Sequence, residues 1–314
     1  MVWDLRPLID RIADTVRARQ LGVAGEYAKK PGGGLDRYGC ADAANILYTI
    51  GRFPVERAAC VEVLQRLQDA DGLYRETVHH PFHTTAHCLA ALELFDAKPL
   101  RPLAGMAHLA GNEALRAFLD QLDWRGNPWN QSHQGAGIYA ARVLAGEATL
   151  DWQDTYFDWL WNEADEATGL WRRGCIGPTA QHGLFAHLAG TFHYLFNQEY
   201  AHRPLRYPER LVDFCLDQRE QFAVLGRGAS FAEIDWVYCI TRGVRQSGHR
   251  HGDARRVLTE FAGRYTATLL TANFDDLHMV FGATCALAEL QTALPGLLRT
   301  ECPLKLVLDR RPFI

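Results

Sequence analysis

Residues 68–95 read QDADGLYRETVHHPFHTTAHCLAALELF. The stretch holds a charged turn closed by Gly72, an aromatic at Tyr74, a polar loop ending at Pro81, and then a segment that starts polar and turns small and apolar. A helix whose inner positions are Ala86, Cys88, Ala90 and Ala91 can be packed on several sides at once. Its polar start, His83-Thr84-Thr85-Ala86-His87, is left free for chemistry.

The unit recurs. EADEATGLW at 163–171 echoes QDADGLY, and a second small-residue helix, TAQHGLFAHLAGTFHYLF, is expected from Thr179. Looser copies begin near Tyr38 (YGCADAANILYTIG), Ser132 (SHQGAGIYAARVL), Phe231 (FAEIDWVYCITRGV) and Asp276 (DLHMVFGATCALAEL). Starts at 38, 83, 132, 179, 231 and 276 lie 45, 49, 47, 52 and 45 residues apart, the period of a helix pair.

Between these segments the sequence predicts outer helices with one polar face. They are VERAACVEVLQRLQDA after Pro54, NEALRAFLDQLDW, DWQDTYFDWLWNEA, RYPERLVDFCLDQREQFA and a long one after Asp253. Trp152, Tyr156, Trp159 and Trp161 form an aromatic stripe read as packing rather than as a ligand platform. Strand-type alternation is nearly absent. The expected fold is all-α: an (α/α)6 toroid of six helical hairpins, inner and outer rings, forming one domain over residues 1–314.

Composition narrows the function. A net charge of −4 offers no basic field for nucleic acid, and 48% hydrophobic with 22% charged residues is an ordinary globular balance. No apolar run reaches the ~18–20 residues that span a bilayer. Eight cysteines lack CxxC spacing and sit mostly in helical patterns, which with the charged start of the chain leads to an expected cytoplasmic location. Lys29-Lys30-Pro31-Gly32-Gly33-Gly34 is read as a turn, since no GK[ST] follows.

QDADGLY followed by HTTAHCLAALELF resembles the repeat of terpenoid cyclases and of protein prenyltransferase β-subunits, in which a Gln-containing outer helix runs through a DG turn and an aromatic into a Thr/Ala/Leu-rich inner helix. The resemblance implies the toroid that those enzymes share with glycoside hydrolases, uronate lyases and sugar epimerases. The motif covers residues 65–95. The chain departs from the family at Asp275-Asp276, a pair rather than an Asp-x-Asp-Asp motif, and at Cys40, which lacks the Asp-x before it.

In such a ring the inner helices run parallel, and their N-termini gather at one pole where free N–H groups favour anions. The residues expected there are Asp36, Tyr38 and Asp42; His83 and His87; Trp129, Asn130, His133 and Gln134; Gln181 and His182; Glu233, Asp235 and Trp236; and Asp276 and His278. Taken singly, each is a helix cap or a satisfied polar residue. His83 and His87 have the i, i+4 spacing of a metal pair, with His133 or His278 as a third ligand, but no HExxH accompanies them, and neither metal nor cofactor is expected.

Planar amides beside Trp faces suit polyols, so the leading expectation is a carbohydrate-active enzyme acting on a small-molecule or oligosaccharide substrate. His133 and Asp235 are the expected proton-transfer groups, Tyr38 a second, and Trp129 the sugar platform. Asn130, Gln134, His83, His87, Asp36, His182, Glu233, Trp236, Asp276 and His278 are expected to bind substrate. Hydrolysis needs two opposed carboxylates, whereas elimination or epimerisation beside a carboxylate needs an imidazole or phenol base. The alternatives are an isoprenoid cyclase or prenyltransferase relative, and a non-catalytic scaffold.

Overall fold

The structure is a computed structural model that describes residues 2–54 and 56–313. It is almost wholly helical. In chain order the helices are α1 (Arg6–Arg17), α2 (Arg37–Thr49), α3 (Arg57–Arg66), α4 (Pro81–Leu94), α5 (Asn112–Gln121) and α6 (Pro128–Ala145). They continue with α7 (Leu150–Glu163), α8 (Phe185–Tyr200), α9 (Pro208–Asp217), α10 (Ala232–Ser247), α11 (His251–Thr271) and α12 (Leu277–Ala293). Two-residue strands β1 (Trp3–Asp4) and β2 (Leu298–Arg299) pair in parallel. No described helix is long and apolar enough to cross a membrane.

The chain divides into two compact units. One, the flanking unit, takes Met1–Leu64 with Val212–Val307; the other, the middle unit, takes Gln65–Leu211 with Leu308–Ile314.

In the middle unit α6 packs between α4 and α8, and α5 lies on α7. These three enclosed helices are buried along nearly their whole length, which is why they carry Ala, Gly and Thr where an amphipathic helix would carry charge. The repeat first seen in the sequence is a repeat of hydrogen bonds. The backbone N–H of Tyr74 donates to Thr85 Oγ1 on α4 at 2.9 Å, and that of Trp171 donates to Thr191 Oγ1 on α8 at 3.1 Å. The turns before them close alike, Asp69 N on Leu73 O and Asp165 N on Leu170 O.

Gly72 has φ +85°, and a Cβ there would stand 1.9 Å from the Pro102 carbonyl oxygen, so no other residue fits the first turn. The Gln68 side chain fastens it, donating to the carbonyls of Gly72 and Arg101 and accepting from Arg101 N. The aromatic stripe on α7 is core as expected for Trp152, Tyr156 and Trp159, whereas Trp161 is exposed.

Three helix starts differ from expectation. The helix expected from Thr179 begins at Phe185, because residues 179–183 close on themselves in a small bridge and Gly183 adopts a positive φ of 55°. The helix expected near Ser132 begins at Pro128, with Asn127 accepting from Asn130 N as its cap. The outer helix expected after Pro54 begins at Arg57; Val55, in that expected span, lies outside the described residues.

In the flanking unit α12 packs between α2 and α10, with α1 on α2 and α11 against α10 and α12. Arg242 of α10 and Glu289 of α12 make a buried bidentate pair at 2.8 and 3.1 Å.

Candidate functional site

In the middle unit, glycines decide how closely the helices approach. A Cβ on Gly137 of α6 would lie 2.8 Å from the Phe82 carbonyl carbon of α4, and one on Gly135 would lie 2.1 Å from the Tyr194 hydroxyl of α8. Bare backbone at both positions lets α4 and α8 close on the first turns of α6. The result is a nest of imidazoles. The His83 and His133 ring centroids are 4.1 Å apart, those of His133 and His193 4.4 Å, and those of His83 and His193 6.3 Å. His79, just ahead of α4, stacks on His83 at 4.9 Å, and Trp129 stands edge-on to His133 at 4.5 Å. Phe313 covers His83 at 5.0 Å, held by the Asn197 amide donating to Pro312 O.

Partners fix which nitrogens carry protons. Glu76 lies 2.9 Å from His79 Nδ1 and also accepts from the backbone N–H groups of Val78 and His79. Burial works to raise the Glu76 carboxyl, but those hydrogen bonds and the imidazole hold it below its ordinary value. An ionised Glu76 requires Nδ1–H on His79.

Ser132 Oγ of α6 lies 2.7 Å from Nδ1 of His193 on α8 and already donates its single proton to the Trp129 carbonyl at 2.7 Å. His193 Nδ1 is therefore the donor, and Nε2 keeps its lone pair. Burial, aided by the neighbouring imidazoles, pushes His83 well below its usual pKa, and burial, then His79, pushes His193 down to about 3. Both rings are neutral at neutral pH.

Of the residues expected at the pole, His83, His133 and Trp129 meet here, with Asn130 and Gln134 half-exposed on the same turns of α6. His87 sits one turn further along α4, its ring within 17° of parallel to that of His83 at a centroid separation of 6.5 Å. His182 and Gln181 are exposed in the loop before α8, away from a helix start.

The other candidates belong to the flanking unit. There Asp36 caps α2 through Gly39 N, and Asp276 caps α12 through His278 N and faces Lys29 and Lys30. His278 Nδ1 lies 3.2 Å from Asp42 Oδ1, with Tyr38 edge-on at 4.7 Å and Phe231 at 4.3 Å. The starts of α2, α10 and α12 thus meet around His278.

Glu233 accepts from Gly226 N and Ser230 Oγ, and burial raises its pKa. Asp235 is fully enclosed, and burial, then the charge of Glu233, raises it far above the carboxylate range. Among the described residues its Oδ1 has no hydrogen-bond partner. Trp236 is sealed in the core with Nε1 donating to Cys215 O, so the expected acid-and-aromatic pair presents no open ring face to a sugar.

The sequence reading passed over Glu76, His79 and His193. His79, His83 and His87 are spaced by four, a signal in plain view that was read only from His83 onward. His193 lies two turns inside α8 and is delivered by packing alone. No protein-family model, curated protein or solved structure matches the chain.

Proposed function

We propose that the chain is a carbohydrate-active enzyme of the lyase or epimerase type, acting on a uronide at the imidazole nest of the middle unit. The observation that carries this is the Glu76–His79 dyad beside half-exposed Trp129. A carboxylate-oriented imidazole serves as a general base, and an indole beside it seats a sugar ring. The acceptor role passes from His133 to His79, the ring with the carboxylate partner. Asn130 and Gln134 offer amides to substrate hydroxyls and carboxylate. Hydrolysis is set aside because it needs two opposed carboxylates, and the one touching the nest, Glu76, is committed to His79. The ring of six hairpins belongs to this reading too, supported by the repeated hydrogen-bond pattern of the two middle-unit hairpins.

The test is a screen of the purified protein against uronide oligosaccharides, neutral oligosaccharides and prenyl diphosphates. A lyase yields an ultraviolet-absorbing unsaturated uronide; an epimerase exchanges the carbon-bound proton for solvent deuterium. His79→Gln should lower kcat by ~10²–10⁴-fold. Trp129→Ala should act mainly on KM. Turnover of prenyl diphosphates alone, or a His79→Gln enzyme as fast as the parent, refutes the proposal.

A further inference from the structure

We infer that the cleft between α10, α11 and α12 of the flanking unit is a binding site for a small organic acid, an apolar ring carrying one carboxylate. Its volume is about 230 Å³. An apolar cavity of ~150 Å³ holds benzene, so this cleft has room for a ring and a head group. Its inner end is apolar, made by Ile240 of α10 with Ala254 and Leu258 of α11, all buried. Its mouth is polar, lined by the exposed side chains of Arg245, His251 and Arg255.

Charge sets the cleft apart from the chain as a whole. Among the described residues of its lining three are arginines and one, Glu289, is a carboxylate, so the walls are net positive in a chain whose own net charge is −4. Arg242 and Arg245 lie one turn apart on α10, and His251 and Arg255 one turn apart on α11, spacings that put each pair on one helix face. Like charges gathered in this way repel, a cost that a bound anion offsets. The buried Arg242–Glu289 pair, at 2.8 and 3.1 Å, neutralises itself and fixes the wall between α10 and α12. The excess positive charge of the lining therefore lies at the mouth, on Arg245 and Arg255. A guanidinium fork matches a carboxylate edge with two parallel hydrogen bonds, and arginines from two helices approach one carboxylate from both sides. The apolar end selects against inorganic phosphate, and the arginines against a neutral ring. Every residue in this argument belongs to the flanking unit, so the inference is independent of the uronide reading.

The test uses the full-length protein with its isoleucine, leucine and valine methyl groups labelled for NMR. It is titrated with benzoate, cyclohexanecarboxylate, benzamide and inorganic phosphate. The two carboxylates should saturate with a Kd of ~0.1–3 mM, ordinary for ligands of this size, and should shift the methyl resonances of Ile240, Val244 and Leu258. Benzamide and phosphate should bind more weakly by ~10-fold or more. Arg245→Gln and Arg255→Gln combined should weaken benzoate by ~10–100-fold. Arg256→Gln removes the charge of an exposed neighbour outside the lining and should bind as the parent does. Ala254→Leu should fill the inner end and abolish uptake; if circular dichroism shows that variant unfolded, the combined arginine variant decides. No methyl shift in the parent at ~10 mM benzoate, phosphate bound as tightly as benzoate, or parental affinity in the folded arginine variant overturns the site.

Discussion

The middle unit should lose stability as pH falls through the histidine range, and His193 should account for a measurable share of the loss. In the folded chain burial holds His193 at about 3, against an ordinary value of 6.5. Between those values the unfolded chain carries a proton that the folded chain refuses, so unfolding takes up one proton and is favoured by acid. The contribution is therefore nil above pH 6.5 and grows below it by ~1.4 kcal/mol per pH unit, or ~2 kcal/mol at pH 5. His83 is lowered by the same burial, with the neighbouring imidazoles, and adds in the same direction.

Urea unfolding of chelator-treated protein at half-unit steps from pH 7.5 to 5, followed by tryptophan fluorescence and by amide exchange in α4, α6 and α8, measures the slope. His193→Gln keeps a polar side chain and removes the titration, so its stability should fall with acid less steeply than the parent's by ~1.4 kcal/mol per unit. Parallel slopes for the two proteins, or a parent whose stability is flat from pH 7 to 5, would refute the reasoning.

Three further outcomes follow from the packing. Gly137→Ala drives a methyl to 2.8 Å from the Phe82 carbonyl and should cost ~1–3 kcal/mol in urea. Thr85→Val and Thr191→Val each strand a buried backbone N–H, that of Tyr74 or Trp171, and should each cost ~1–3 kcal/mol; a much smaller cost at one site would mean that the two hairpins are not equivalent. Arg242→Met alone leaves Glu289 buried without its partner and should cost ~3–5 kcal/mol, whereas Arg242→Met with Glu289→Leu should recover most of the loss in a double-mutant cycle.

The sequence announces elements wherever a residue has one conformational use. Pro81 and the side chains of Asp36 and Asp276 mark helix starts that the structure keeps, since proline and capping carboxylates act within a turn of their own position. Thr179 looks equally like a start, and fails because Gly183 turns the chain back before Phe185, a decision made by one positive φ. The enclosed helices were legible from Ala86, Ala90 and Ala91, because small residues announce contact on every side.

The site was legible only in part for a physical reason. Helix N-termini can be read from sequence, so Trp129, His83 and His133 were found. His193 joins the imidazole nest through the depth at which α8 slides past α6, which Gly135 and Gly190 set and no local pattern encodes. Trp236 shows the converse, an aromatic beside an acid in sequence whose ring faces the core.

The division of the chain also imposes an order on its birth. Helix α2 emerges before the middle unit, yet its partner α12 comes only after the whole of Gln65–Leu211 has been made. At cellular elongation rates that interval is on the order of ten seconds. Throughout it the face of α2 that α12 covers stands bare, a natural substrate for ribosome-bound chaperones, while the intervening segment is free to collapse on its own.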